Sequence, residues 1–225
     1  MTRAGKPTIT NIQAVVFDMD GTLIDSEPLT GLAIAELLAS EGIEASVAQE
    51  SWYFGVTWEA ISAELTRRHP AIAGRCEPAA LDARFRRLGQ ERPPPPLPGA
   101  FEAVASASAS HRTAIATSSH RASVDDLFAR TEVAQHVDVV VASEDYTRSK
   151  PDPECFLLAA RRLGVEPASC LVFEDSTAGV QAARNAGMRV VAVGSRIRES
   201  GAEADVFIPD YRALPTGFFA SIRTR

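Results

Sequence analysis

The sequence predicts an α/β protein whose parallel sheet is interrupted by a helical insert. Two observations support this prediction. Short apolar runs alternate with helically patterned segments over the second half of the chain, whereas the stretch from residue 27 to about residue 92 shows helical patterns alone. The chain has 225 residues, 45% of them hydrophobic and 23% charged. This is the composition of a globular protein with one large domain, or with a core and a small insert.

The strands are predicted from short apolar runs bounded by polar and turn residues. The first lies within residues 13–20, where AVVF precedes acidic residues. Runs of this kind are typical of strands buried on both faces. Five more follow, at residues 113–116, 139–141, 171–173, 190–193 and 206–208. Helical spacing fills residues 123–130, 153–163 and 177–186, with Gly164 and Gly187 as helix-ending residues. This alternation indicates a layered parallel sheet.

The insert is predicted between two crossings of the chain. Helical patterns cover residues 29–39, 57–68 and 78–88, and the outgoing crossing lies near residues 25–28. The sequence ERPPPPLPG at residues 91–99 predicts a stiff, extended return, because proline cannot continue a helix interior. The predicted division is therefore a core of residues 1–26 and 97–225, and a helical insert of residues 27–96.

Charge and cysteine usage limit the classes of partner. The net charge is −6, from 23 basic and 29 acidic residues, which argues against nonspecific nucleic-acid binding but leaves room for a local anion site. Three cysteines without metal-type spacing indicate reduced thiols, as in a cytoplasmic protein. The first twelve residues lack a signal-peptide apolar region, and no apolar run is long enough to span a membrane. We expect a cytoplasmic monomer or weak homodimer without nucleic-acid or membrane partners.

Polar side chains follow four of the predicted strands at their carboxyl ends, where open α/β sheets bind ligands. Asp18 and Asp20 form a pair of carboxylates two residues apart after the first strand. Close carboxylates repel each other, so such a pair needs a cation or a shared proton, and Mg²⁺ is a cation that prefers oxygen ligands of this kind. Helix capping or a solvated loop explains each group singly, but recurrence on four strands indicates one shared site. The candidates are Asp18, Asp20, Thr117, Ser118, Lys150, Glu174 and Asp175.

Four motifs, DMDGTLIDSEPL, TSS, SKPDPECF and FEDSTAGVQAARNAG, carry a resemblance that covers residues 14 to about 194. As a set they resemble the haloacid dehalogenase superfamily, in the branch with a helical cap inserted after the first strand. The resemblance implies a Rossmann-like parallel sheet core with a small all-helical cap domain. It also implies Mg²⁺-dependent phosphoryl transfer through an aspartyl-phosphate.

The resemblance assigns roles to the candidate residues. It implies that Asp18 is the nucleophile and that Asp20 acts as general acid and then as general base. Mg²⁺ would be held by an Asp18 carboxylate oxygen, the Asp20 backbone carbonyl and Asp175, with Glu174 as a ligand either direct or through water. The donors expected to hold the phosphoryl group are the Thr117 hydroxyl, the Ser118 amide and the Lys150 ammonium.

Alternatives within the superfamily are separated by single residues. Dehalogenases replace the second acid of the first motif, which is present here as Asp20. Phosphonatases use a cap lysine, and residues 27–92 contain no lysine. The β-phosphoglucomutase type carries a basic residue where Trp58 stands, although Arg67, Arg68, Arg84, Arg86 and Arg87 could replace it. A phosphatase is therefore predicted, with the sugar phosphomutase as the alternative and a catalytically idle binding domain as a remote one.

The predicted substrate is a small phosphorylated metabolite, either a sugar phosphate or a phosphoglycolate-like acid. Four further residues are candidate substrate contacts: Glu27, Gly55, Trp58 and His120. Each also has a structural interpretation. Glu27 suits a helix N-terminus, the aromatic stretch around Trp58 could pack the cap itself, and a histidine in a loop is commonly a bystander.

Overall fold

The computed structural model describes residues 9–44, 52–53 and 57–223. The chain folds into two compact units, one formed by Met1–Ile24 and Pro96–Arg225 and the other by Asp25–Pro95. We call them the core unit and the insert unit. Their boundaries fall within the two crossings expected from the sequence, and the interpretation of the units as catalytic core and cap stays a prediction.

The core unit contains one sheet of six parallel strands in the order β3-β2-β1-β4-β5-β6. The chain therefore builds outwards from β1 to β3 and then returns to the other side of β1, which creates a topological switch point between β1 and β4. The predicted parallel α/β class is confirmed. The strands are β1 (Ala14–Phe17), β2 (Arg112–Ala116), β3 (Val139–Val141), β4 (Cys170–Glu174), β5 (Arg189–Val193) and β6 (Val206–Ile208).

Helices account for most of the remaining regular structure. Those of the insert unit are α1 (Glu27–Ser40), α2 (Trp58–Arg68) and α3 (Pro78–Glu91). Those of the core unit are α4 (Ala100–Ser108), α5 (Arg121–Arg130), α6 (Glu154–Leu163), α7 (Thr177–Asn185) and α8 (Phe218–Ile222). The sequence patterns did not predict α4 or α8. Among the described residues, no helix combines the length and hydropathy that a bilayer span requires.

Both faces of the sheet are buried, which explains the unbroken apolar runs of its strands. Along β1, Val15 and Phe17 contribute to the apolar cluster on one face, and Ala14 and Val16 to the cluster on the other. Phe17 stacks on Phe173 of β4 with ring centroids 5.1 Å apart. Packing on both faces therefore holds the central strands in place. The residues that directly follow these strands are held at a rigid edge of the sheet.

The insert unit has its own apolar core. Side chains from α1, α2 and α3 form a buried cluster that includes Ile34, Ile61 and Leu81. Thr57 caps α2 by accepting a hydrogen bond from the Ala60 N–H, at 3.4 Å. The three cysteines of the whole chain are free and buried, in agreement with reduced thiols.

Candidate active site

Lys150 joins residues that lie far apart in sequence at the carboxyl edge of the sheet. Its Nζ atom is 2.6 Å from Asp18 Oδ1 and 2.8 Å from Glu174 Oε1. It also lies 3.4 Å from the Ala116 carbonyl oxygen and 4.9 Å from the centroid of the Phe156 ring. The carboxyl ends of β1, β2 and β4 and the loop after β3 thus meet at one buried ammonium group.

The two acids that contact this lysine belong to a cluster of three carboxylates. One oxygen from each of Asp18, Glu174 and Asp175 lies within 4.8 Å of the others. Burial raises the pKa of Asp18 to about 7, and the nearby charges of Glu174 and Asp20 add to this effect against the opposing charge of Lys150. Burial disfavours the charge on Lys150, but Asp18 and Glu174 outweigh it and raise the pKa of Lys150 well above its usual value.

The donor set of this cluster fits a divalent cation. One ammonium group faces several carboxylates in a buried place, so negative charge is under-compensated there. The three side chains of the cluster offer carboxylate oxygens, which Mg²⁺ prefers. The cluster can therefore bind a metal ion.

A tight turn after β1 brings Asp175 against the backbone. Gly21 has a φ of +74°, which favours glycine, and its N–H donates to the Ile24 carbonyl at 2.8 Å. A Cβ atom on Gly21 would overlap the Asp175 carboxylate. Thr22 in the same turn donates its hydroxyl proton to Asp175 Oδ1 at 3.0 Å. Gly21 and Thr22 together fix the position of the Asp175 carboxylate.

Glu174 is held from both sides of its carboxylate. Oε1 accepts from Lys150, while Oε2 accepts from the Ser176 N–H at 2.6 Å and from the Ser176 hydroxyl at 3.0 Å. A Cβ atom on Gly179, in the first turn of α7, would overlap this carboxylate. The absence of a side chain at Gly179 therefore lets α7 approach Glu174 closely.

Replacing Gly179 with alanine should displace the Glu174 carboxylate and, with it, Lys150. We expect turnover to fall by about 10²-fold, because misplacing a catalytic group by about 1 Å has an effect of this order. Circular dichroism should show that the variant remains folded. Gly89→Ala is the matched control: Gly89 is also helical, but its Cβ would meet only ordinary contact at 3.7 Å. Unchanged turnover in Gly179→Ala would contradict the importance of Glu174.

The loop after β2 carries two of the three predicted phosphate donors, Thr117 and Ser118. The Thr117 Oγ atom accepts from the Ser119 N–H at 3.0 Å, so its own hydroxyl proton can be given to a ligand. Ser118 is exposed, whereas Thr117 is buried. The Ser119 hydroxyl donates to Asp20 Oδ2 at 2.6 Å. This bond links the loop after β2 to the second acid of the first motif.

The remaining predicted contacts lie in different parts of the chain. His120 precedes α5 in the core unit, with Nδ1 2.9 Å from Glu144 Oε1. Glu27 begins α1 in the insert unit. Trp58 begins α2 and packs edge-on against Phe85, with ring centroids 5.6 Å apart. Gly55 lies outside the described residues. The roles of all predicted site residues stay predictions.

Most of the chain is similar in sequence to a known protein family. Residues 12–187 match the sequence model of the haloacid dehalogenase-like hydrolases. The chain belongs to this family. The predicted family and the predicted enzyme class, a hydrolase of the haloacid dehalogenase type, are thereby confirmed.

Several relatives within the haloacid dehalogenase-like family are similar over nearly their whole length. The protein CbbY of Rhodobacter capsulatus is 33% identical over 91% of this chain and 96% of its own. The fructose-1-phosphate phosphatase YqaB of Escherichia coli is 34% identical over 80% of this chain and 95% of its own. A crystal structure of a CbbY variant from Rhodobacter sphaeroides, in complex with xylulose-(1,5)bisphosphate, is 26% identical. It has a TM-score of 0.71 and covers 95% of this chain and 100% of that one.

Four residues of this hydrolase site were not singled out from the sequence. Three of them donate hydrogen bonds to the predicted acids: Thr22, Ser119 and Ser176. The fourth, Gly179, has no side chain and so leaves space for the Glu174 carboxylate. Each lies within a motif that was recognised, and Ser119 and Ser176 are adjacent to residues that were chosen. Serine and threonine near strand ends are ambiguous in sequence because they also cap helices, as Ser176 does here through the Gly179 N–H.

Proposed function

We propose that this hydrolase is a Mg²⁺-dependent phosphatase of a small phosphorylated metabolite, and that it acts through an aspartyl-phosphate on Asp18. The observation that carries the proposal is the contact of 2.6 Å between Lys150 Nζ and Asp18 Oδ1 inside a buried cluster of acids. A buried lysine that holds one oxygen of a carboxylate fixes its orientation. The other oxygen can then be directed at phosphorus.

The two acids of the first motif, Asp18 and Asp20, have different roles in the proposed reaction. Asp18 attacks phosphorus and the bond from phosphorus to the ester oxygen breaks, while Asp20 protonates that oxygen. Asp20 then takes a proton from the water that hydrolyses the acyl phosphate. The Ser119 hydroxyl, 2.6 Å from Asp20 Oδ2, keeps this carboxylate in one orientation through both steps.

The phosphoryl oxygens are held by groups of the core unit. Thr117 offers a hydroxyl proton, Ser118 a backbone N–H and Lys150 an ammonium proton. These donors come from two different loops, so they can bind oxygens on different sides of one phosphorus atom. Their charge and hydrogen bonds stabilise the negative charge that spreads over the oxygens during transfer.

The metal would be held by the acids of the cluster. Asp18, Asp175 and the Asp20 backbone carbonyl are the proposed ligands, and Mg²⁺ supplies the positive charge that lets the nucleophile approach an anionic phosphoryl group. Both oxygens of Glu174 already accept hydrogen bonds from Lys150 and Ser176. We therefore propose that Glu174 would contact the metal through a water molecule, and that it orients Lys150.

Magnesium should stabilise the folded protein even without substrate. At a concentration one hundred times its dissociation constant, a ligand adds about 2.7 kcal/mol to the free energy of unfolding, and we expect the melting temperature to rise by several degrees. Asp175→Asn should abolish most of this rise. Asp125→Asn, at an exposed acid of α5, should keep it. Thermal unfolding with Mg²⁺ and with chelator measures this rise in melting temperature. An equal rise in both variants would show that the metal binds elsewhere.

A sugar phosphate is the proposed substrate class, with a phosphoglycolate-like acid as the other predicted substrate. Similarity to a fructose-1-phosphate phosphatase, and to a structure that binds a sugar bisphosphate, supports the sugar phosphate.

The insert unit offers little support for the mutase alternative, which needs a cation for a second phosphate. Its five candidate arginines all have partners within that unit. Arg67 and Arg68 bind Glu64, Arg84 bonds Ser40 and the Ala80 carbonyl, Arg86 binds Asp82, and Arg87 binds Glu36 and Glu91.

A screen of phosphate release tests the proposed function. The protein is incubated with Mg²⁺ and a panel of phosphorylated sugars and phosphorylated acids, and an isomerisation assay runs on the same samples. We expect release of inorganic phosphate from at least one sugar phosphate without isomerised product. Isomerisation stimulated by a bisphosphorylated sugar, without net phosphate release, would establish the mutase instead.

A further inference from the structure

Tyr146 lies in the loop that connects β3 to Lys150 and reaches across to the loop after β2. Its hydroxyl is 3.1 Å from the Thr117 carbonyl oxygen and 3.4 Å from Ser118 Oγ. Its ring packs against the apolar cluster on one face of the sheet. The hydroxyl therefore sits at the residues proposed to bind phosphate, while the ring anchors it to the rigid core.

We propose that Tyr146 is a positioning residue for the phosphate donors, because its hydroxyl fixes the peptide group between Thr117 and Ser118. This inference rests on the proposed function. It adds a residue that the sequence motifs do not include, and it gives that residue a role that acts through the backbone rather than by direct contact with substrate.

The peptide plane explains how one hydrogen bond aims another donor. In a trans peptide the carbonyl oxygen and the following N–H point in opposite directions. When the Tyr146 hydroxyl holds the Thr117 carbonyl, the Ser118 N–H is fixed towards the opposite side. Within the described residues, no protein acceptor takes this N–H. It is the group that the proposed function places on a phosphoryl oxygen.

Proton counting assigns the direction of both bonds. A phenol carries one proton, and burial raises the pKa of Tyr146, so the hydroxyl stays protonated at neutral pH. The carbonyl of Thr117 has no proton and must accept, which makes the Ser118 hydroxyl the donor to the phenol oxygen. The Ser118 side chain is thereby turned towards Tyr146, and its backbone N–H remains as the donor for a ligand.

Tyr146 is one of three residues after β3 that hold carbonyls of the neighbouring loop. The Ser143 N–H donates to the Ser119 carbonyl at 3.0 Å, and Lys150 lies 3.4 Å from the Ala116 carbonyl. With Tyr146 on Thr117, this segment holds three of four consecutive carbonyl groups. Donors held in place before the reaction stabilise a transition state without a further cost of ordering.

The test compares Tyr146→Phe with Tyr211→Phe. The first change removes the hydroxyl and keeps the ring that packs on the core. The control removes the hydroxyl of Tyr211, a core tyrosine whose buried oxygen has no hydrogen-bond partner among the described residues. Binding of orthovanadate in the presence of Mg²⁺ is measured by titration calorimetry on the full chain. Vanadate imitates the five-coordinate phosphorus of phosphoryl transfer, so its affinity reports on the pre-arranged donors.

We expect Tyr146→Phe to bind vanadate about tenfold more weakly and to lose kcat/KM by a similar factor, with an unchanged melting temperature. Tyr211→Phe should match the wild type in both measurements. A merely structural role would lower the active fraction and leave the dissociation constant of vanadate unchanged, and that result would overturn the inference. A wild-type protein that neither binds vanadate nor releases phosphate would overturn the proposed function itself, and the inference with it.

Discussion

Asp18→Asn should abolish turnover, lowering kcat by about 10⁴-fold or more, which is the scale of effect seen when a covalent nucleophile is removed. Asparagine has the shape of aspartate, but its neutral amide is a poor nucleophile and forms no acyl phosphate. The change also removes one negative charge from a cluster in which a single lysine faces several acids. Lys150 keeps its contact with Glu174 at 2.8 Å, so we expect the fold to survive.

Phosphate release by Asp18→Asn is measured on the best substrate of the screen, beside thermal unfolding of the same sample. Asp125→Asn makes the same chemical change at an exposed position on α5 and should retain full activity. Residual activity above about a tenth of the wild-type rate would remove Asp18 as the nucleophile. A melting temperature below the assay temperature would show instead that the variant lost activity by unfolding.

Lys150→Met should lower kcat/KM by about 10³-fold and should also destabilise the protein. The ammonium group contacts both Asp18 and Glu174 in a buried place, so its removal leaves two carboxylates without their cation. Breaking a buried ion pair by removing one partner costs about 3–5 kcal/mol. Methionine retains most of the apolar stem of lysine, which limits the loss of packing around Phe156.

Denaturant unfolding without metal, together with initial rates in Mg²⁺, measures the two effects of Lys150→Met separately. Arg148→Met in the same loop removes an exposed positive charge and serves as the control. We expect it to leave both quantities nearly unchanged, because exposed ion pairs contribute little to stability. A variant Lys150→Met with wild-type kcat/KM would show that the lysine has no part in the reaction.

Much of the core unit could be predicted from the sequence because its strands are buried on both faces. Each of the six strands coincides with an apolar run, and the helices α5 to α7 follow from the spacing between them. Helix α4 was missed because its sequence, AFEAVASAS, is rich in alanine and serine and lacks the charged face of an amphipathic surface helix. Helix α8 has only five residues, too few for a periodic pattern.

The acids of the site could be predicted because they follow strands directly, whereas the groups that hold them depend on which strands become neighbours. Ser119 reaches Asp20 and Tyr146 reaches Thr117 only because β1, β2 and β3 lie side by side in the sheet. The need for Gly179 arises from the approach of α7 to Glu174. Such contacts are set by tertiary packing, and the residue types involved have several other common uses.

The most direct test of the account is the structure of the protein crystallised with Mg²⁺ and beryllium fluoride, which imitates a phosphoryl group on a carboxylate. We predict that beryllium bonds to an Asp18 carboxylate oxygen and that its fluorine atoms accept hydrogen bonds from Thr117, Ser118 and Lys150. Beryllium fluoride bound to another residue, or a site that stays empty when Mg²⁺ is present, would contradict the proposal that Asp18 receives the phosphoryl group.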